Sequence, residues 1–456
     1  MSDNKNKQQN LRILVTGSTG FIGSRIVKRL LADRKYTVRC MTRDPAHIYD
    51  LFGITGNIVE VVKADASNYS ELVKALTEVD VAFYLIHSME GSSKQWQEFA
   101  KRDKIAAENF AKASTFTGTK KIIYVSGLID PDQKDLSAHM RSRNEVGEIL
   151  RTSVADVTIF HAAVILGQGG GSFQMLQYLV ERLPIMVCPK WVLTKSQPIS
   201  VDDVVTYLIE SIKIEETSNR DFDIGGPEIL SYLDMMKRYS KILNKSLNVI
   251  IIPFLTPRLS SYWIDLITPV KASLARPLID SLKHEAIVRE NEIEKLIPIK
   301  LKTFDESIKT AMNEEAKKTK VIKKQKTSEA LNKKLLIFSL ISLAIIGSTY
   351  YILDTRKDIY EPGWLFLSIL WYVIIFFTLY FVKCEARLGY LLAGIVGWIT
   401  LTFWLIDNIY IVYNDSIITS SPNMYMTIRN FIGAIIAGLV IASSHNLFHK
   451  IRLLGK

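Results

Sequence analysis

The chain has 456 residues and a formal charge of +11, from 57 Lys plus Arg against 46 Asp plus Glu. With 48% apolar and 23% charged residues it is an ordinary globular mixture, long enough for two or three domains, which excludes collagen-like, disordered and disulfide-scaffold chains. The basic excess is concentrated, with eight Lys and three Glu in residues 314–334, just before the first long apolar run, so it reads as a membrane-flanking segment and not as the basic face of a nucleic-acid binder.

Residues 1–10 form a polar tail with no apolar core of signal-peptide length, so the globular part is expected in the cytosol. From Leu11 onward short, β-branched strands alternate with helices. Strands are expected at Leu11–Val15, Thr37–Met41, Ile58–Val62, Val81–Ile86, Lys121–Val125 and Val157–His161. Helices are expected at Ile22–Ala32, Tyr69–Thr77 and Ser93–Thr115. That alternation implies an α/β class with a doubly wound parallel sheet, over about residues 11–309. Cys40, Cys188 and Cys384 are scattered and odd in number, which gives neither a disulfide framework nor a zinc site.

The first chemical motif is TGSTGFIG, Thr16, Gly17, Ser18, Thr19, Gly20, Phe21, Ile22 and Gly23, placed between the first strand and the first helix. The first glycine permits a tight turn, the second lets backbone approach a pyrophosphate, and the third allows close packing at a helix N-terminus whose N–H dipoles favour an anion. An NAD site generally offers a carboxylate after the second strand, but here Arg43 precedes Asp44, which suits the 2'-phosphate of NADP(H) more than the ribose of NAD(H). Arg43 is otherwise a surface residue and Asp44 a helix cap. Asp65, after the third strand, could accept from the adenine amino group or simply make a turn. His87, ending the fourth strand, could touch nicotinamide ribose or substrate, or be a satisfied structural histidine.

Together with AFYLIHSM (to Met89), HMRSRNEVGEILR (139–151), QPISVDDV (197–204), FDIGGPE (222–228) and LTPRLSSYWIDLITPVKASLARPL (255–278), this motif resembles the extended or atypical, NmrA-like branch of the short-chain dehydrogenase/reductase superfamily. The likeness is to NAD(P)-binding proteins related to the nucleotide-binding accessory subunit of respiratory complex I, and it covers about Leu11 to Glu290. It implies a Rossmann core, bound NAD(P)(H) and a small substrate lobe, mainly 168–197 and 222–300. The superfamily's YxxxK pair is missing from the chain. At the corresponding place His139 and Arg143 share one face of a helix that Ser137 could cap. They either replace the pair, with histidine as acid or base and arginine on ribose or phosphate, or sit on a helix whose chemistry is lost. Ser126, where the superfamily often has a hydroxyl that polarises a carbonyl, is the third catalytic candidate. Its alternative is a turn cap. Tyr262 and Trp263 could form an apolar wall for substrate or lipid, or ordinary lobe core, and His161 reads as a packed or hydrogen-bonded group.

Residues 310–334 read as a basic helical or flexible linker, and 335–456 as a membrane domain. Apolar runs at about 335–353, 363–382, 388–406 and 430–449 are expected to span the cell membrane. Basic residues flank the first run, the second-to-third loop and the C-terminus, so both termini and the Rossmann domain are expected on the cytosolic side. His445 and His449 share a helical face but read as interfacial rather than metal-binding, Asp407 as a residue at a helix end, and Trp364, Trp371, Trp398 and Trp404 as lipid-facing anchors. The expected partners are membrane lipid and a small lipophilic substrate. Two functions fit: a membrane-anchored reductase moving hydride between NADPH and a lipophilic carbonyl, quinone or isoprenoid-like molecule, or a cofactor-loaded sensor or assembly protein without turnover. Few intramembrane charges and unbroken helices argue against a transporter.

Overall fold

The computed structural model describes residues 11–52, 59–87, 96–128, 136–182, 185–252, 284–349, 362–412 and 424–453. The polar tail, Tyr262 and Trp263 lie outside the described residues, as does the side chain of His449. The chain divides into two units, Met1–Ala316 and Lys317–Lys456.

In the first unit the leading strands are β1 Arg12–Val15, β2 Thr37–Thr42, β3 Val59–Lys63, β4 Val81–Tyr84, β5 Lys121–Gly127 and β6 Asp156–Ala162. Short strands follow: β7 Ile165–Leu166, β8 Ile185–Pro189, β9 Lys195–Ser196, β10 Ile199–Ser200, β11 Asp221–Ile224, β12 Leu230–Ser231 and β13 Asn248–Ile252. Seven of them make one parallel sheet in the order β11-β6-β5-β4-β1-β2-β3. Strand order therefore reverses between β1 and β4, and such a switch point opens a crevice beyond the carboxyl ends of the two strands.

Both sheet faces are covered, which is why the strands read as continuous apolar runs and not as an alternation. Ile13 and Val15 point to one side, where α1 (Gly23–Asp33) supplies Ile26, Val27 and Leu30. Leu14 points to the other, against α3 (Tyr69–Leu76), α4 (Trp96–Thr117) and α5 (Ala138–Leu150), after a short α2 (Pro45–Phe52). Ser137 does cap α5, accepting from the Met140 N–H, and Asn68 caps α3 in the same way. The lobe has its own core, in which α6 (Gly171–Arg182) and α8 (Tyr232–Ile242) enclose Phe173, Met186 and Tyr239, while α7 (Val201–Glu210) returns to the sheet. β8 pairs with β13 beneath them.

The second unit holds four helical stretches long and apolar enough to cross a membrane: Ser328–Ser348, Leu365–Lys383, Arg387–Asn408 and Ile428–Phe448. The first ends a helix, Phe304–Ser348, that takes in the whole basic segment 310–334. The fourth belongs to the helix Met424–Leu453, longer at both ends than its apolar run. Two expectations change here. Trp404 is only 3% exposed, because Gly433 leaves room for its ring: a Cβ at 433 would fall 1.8 Å from the indole. Asp407 is fully buried and accepts from the Asn430 amide at 2.6 Å, so it belongs to a helix–helix contact and not to a bare helix end. Trp398 does face outward.

Candidate functional site

The crevice at the β1/β4 reversal is held by a threonine. Thr16 Oγ1 donates to the Phe83 carbonyl at 2.9 Å and accepts from the Leu85 N–H at 2.8 Å, which ties the end of β1 to the end of β4. Gly17 follows with φ +59°, and a Cβ there would lie 2.8 Å from the Leu85 carbonyl oxygen. At Gly23 a Cβ would lie 2.3 Å from the Gly17 carbonyl oxygen, so this glycine lets the helix start against the loop itself. Ser18 is buried and donates to the Met41 carbonyl at 3.1 Å, and Thr19 and Gly20 are exposed at the loop tip. α1 then begins after Ile22 with no side-chain cap, its Ser24 and Arg25 N–H groups turning back to the Gly20 and Ile22 carbonyls, and its positive dipole end faces the loop. Phe21 turns toward the lobe and fills the space that Cβ atoms at Gly167 and Gly170 would need. Arg25 fixes it from behind, donating to the carbonyls of Phe21 and Gln168 and pairing with Glu314 at 2.7 Å.

Arg43 is exposed immediately after β2, near enough for its charge to act on Asp65. Asp65 accepts from the Ser67 N–H and hydroxyl at 2.8 and 2.7 Å, and these bonds hold its carboxyl below the ordinary carboxylate range. Asp44 is used locally, accepting from the Ala46 N–H at the start of α2. Both charges after β2 are exposed, and of the two the carboxylate is engaged locally.

Across the crevice His87, His139 and Arg143 come together. The His87 and His139 rings lie 4.9 Å apart, and His87 Nδ1 is 3.1 Å from an Asp103 carboxylate oxygen. Burial pushes His139 down to about 2, with the His87 and Arg143 charges adding to the effect, so its ring stays neutral at every physiological pH. His87 is lowered too, by burial and by Arg143, while Asp103 opposes the shift. Arg143 is turned inward: its guanidinium donates to the Val125 carbonyl and lies over the Tyr124 ring at 5.1 Å. Tyr124 in turn donates to the Arg143 carbonyl at 3.0 Å. Ser126 is 3% exposed at the end of β5, one residue beyond the carbonyl that Arg143 holds. His161, in register with Ser126 on β6, is bound to Asp221 at 3.2 Å at the sheet edge, a structural role.

Asp103 is the residue that sequence reading missed. Its signal was positional: between Arg102 and Lys104 it looks like one more surface charge, yet Asp103, Ala106, Ala107 and Phe110 follow helical spacing and share the buried face of α4.

The glycine positions that admit no Cβ, on a loop between β1 and α1 at the switch point of the sheet, fit a nicotinamide dinucleotide. A family model for NAD(P)H-binding proteins matches residues 17–178. The chain is similar to the photosystem II assembly factor Ycf39 of Cyanophora paradoxa, with 26% identity over 250 residues, 53% of this chain and 72% of that one. The first unit therefore carries an NAD(P)H-binding match and resembles the extended short-chain dehydrogenase/reductase family. The domain also resembles the chloroplastic divinyl chlorophyllide a 8-vinyl-reductase of Cucumis sativus, at 24% identity over 267 residues, 54% of this chain and 60% of that enzyme. In fold it matches a nucleoside-diphosphate-sugar epimerase from Staphylococcus aureus, with a TM-score of 0.52 at 15% identity, over 65% of this chain and 99% of that structure.

Proposed function

We propose that the chain is a membrane-anchored oxidoreductase that moves hydride between NADPH and a lipophilic carbonyl, quinone or isoprenoid-like substrate. The observation that carries this reading is that the dinucleotide loop stands against Leu85, two residues before His87, whose ring lies 4.9 Å from that of His139. When bound, the cofactor supplies the hydride. The loop from Thr16 to Gly23 would hold its pyrophosphate with backbone N–H groups, and the exposed Arg43 would hold a 2'-phosphate in preference to the hydroxyl of NADH. Asp65 is placed for the adenine side. His139 and Arg143 stand where the family's tyrosine and lysine would, and the buried Ser126 is the third candidate at the reacting end. Arg143, a permanent cation, biases nearby groups toward their deprotonated forms.

The four apolar helices and the basic flanks support placement in the cell membrane with the dinucleotide domain and both termini on the cytosolic side, where lipid delivers the substrate. Stopped-flow oxidation of NADPH by the full chain in lipid nanodiscs, against a panel of lipophilic quinones and carbonyls, tests the proposal. Absence of oxidation with every acceptor would replace it by the second reading, a cofactor-loaded sensor or assembly protein. The missing YxxxK pair and the likeness to an assembly factor favour that alternative.

A further inference from the structure

His87 and Asp103 have a geometry that the substituted His139–Arg143 pair lacks. We propose that His87 is the proton-exchanging residue of the crevice, its Nε2 trading a proton with a substrate oxygen, and that Asp103 is its positioning residue. This rests on the oxidoreductase reading and names the acid–base group within it.

The argument begins with burial. Asp103 is 5% exposed on α4, and a buried carboxylate must be hydrogen-bonded. It lies 3.1 Å from His87 Nδ1, so the neutral ring carries its proton on Nδ1 and donates it to the carboxylate. That tautomer leaves the lone pair on Nε2. Nε2 is buried and has no partner among the described residues, a costly condition unless a bound group supplies one.

Among the described residues, these groups surround the ring. Asp103 faces the ring from α4, His139 and Arg143 face it from α5, and the Tyr84 and Tyr124 phenols on β4 and β5 lie within electrostatic reach of Asp103 and Arg143. His139, which burial pushes down to about 2, stays neutral and packs beside the His87 ring. Arg143 is occupied by the Val125 carbonyl. Burial and Arg143 hold His87 below its ordinary value, so at neutral pH it rests as a base.

In the oxidising direction the substrate O–H bond breaks toward Nε2, the C–H electron pair leaves as hydride for the oxidised nicotinamide, and a carbonyl forms. In the reducing direction His87 first takes a proton from solvent; hydride from dihydronicotinamide then bonds to the carbonyl carbon, the π pair moves to oxygen, and the N–H bond of the imidazolium breaks to make the new O–H. Asp103 keeps its charge throughout and stabilises the imidazolium.

Full-length protein carrying ¹⁵N-labelled histidine, in nanodiscs, is compared with Asp103→Asn, Asp103→Glu and His87→Asn. Without cofactor, the nitrogen shifts of His87 should report an Nδ1–H tautomer, and Asp103→Asn should lower its titration midpoint and mix the tautomers. With NADPH and the acceptor panel, His87→Asn should slow single-turnover oxidation about 10²-fold or more. Asp103→Asn should slow it about tenfold or more and move the pH midpoint lower, and Asp103→Glu should recover part of the rate. NADPH affinity, measured by titration on the same samples, should stay within about threefold, which also shows that the variants fold. Parental turnover in His87→Asn, or an unchanged His87 midpoint in Asp103→Asn, overturns the dyad and leaves the oxidoreductase reading standing. No oxidation by the unsubstituted protein removes that reading and the dyad's role with it, even where the nitrogen shifts show the Nδ1–H tautomer.

Discussion

Gly17→Ala is the sharpest perturbation of the dinucleotide loop. The residue holds φ +59°, a left-handed conformation that costs an alanine about 1–2 kcal/mol. Its new Cβ would lie 2.8 Å from the Leu85 oxygen and 3.3 Å from the Leu85 carbonyl carbon, whereas ordinary contact begins at 3.4 Å. The loop must therefore move away from β4 by about half an ångström, against the two Thr16 bonds that clamp it there. A displaced cradle should lose about 1.4–2.8 kcal/mol of nucleotide binding, a ten- to hundredfold weaker Kd for NADPH and NADH alike. Isothermal titration with each nucleotide measures it. Gly118→Ala is the control: Gly118 also has positive φ, +73°, but nothing stands within 4 Å of its Cβ, and it lies in the α4–β5 turn. That variant should melt a few degrees lower with unchanged affinities. Parental affinity in Gly17→Ala, or loss of one nucleotide only, would refute the cradle argument.

Arg43→Ala should erase most of an NADPH-over-NADH preference, and equal affinities in the unsubstituted protein would remove the assignment. Lys121 is buried at the start of β5, donating to the Ser211 and Ile214 carbonyls and the Thr217 hydroxyl, and burial brings it from 10.5 to about 8. Between those values the unfolded chain binds the extra proton, so its contribution to stability rises with pH from about 8 to 10.5. Urea unfolding at the two ends of that window should show the rise in the parent and its loss in Lys121→Met. For topology, a cysteine at Ser348 should react with an impermeant maleimide on intact cells and one at Lys320 should not. The reverse pattern would invert the proposed orientation.

The sheet was legible because its strands are buried on both faces, which writes runs such as ILV and VAFY into the sequence, and because the glycines fall where strand meets helix. Boundaries moved by a residue where a helix begins without a side-chain cap: α1 starts at Gly23, and no cap residue announces it. His87, His139 and Arg143 were each visible as residue types, but their meeting depends on how β4, α4 and α5 stack, which no local pattern encodes. Asp103 was hidden for the same reason. A charge between two basic neighbours reads as surface until the face of its helix is known.

The second unit carries the same lesson into the helix pair Arg387–Val412 and Met424–Leu453. Gly397 meets Ala437, Val440 and Ile441, and Gly433 lies against Trp404, so small residues let the two backbones approach closely. Asp407, Asn430 and Arg429 then form a buried chain, with the Asn430 amide on Asp407 at 2.6 Å and the Arg429 guanidinium on the Asn430 oxygen at 2.7 Å. Charges in an apolar bundle are costly when exposed to lipid, and here each is enclosed by its partners. An interhelical hydrogen bond of this kind contributes about 0.6–2 kcal/mol and sets one register between the helices. The outward faces, by contrast, present Phe366, Phe376, Trp398 and Phe431. A pair fastened at its small-residue seam and by a polar clasp, with unbroken helices and an aromatic exterior, is built to hold position. That construction suits the proposed anchor for the dinucleotide domain.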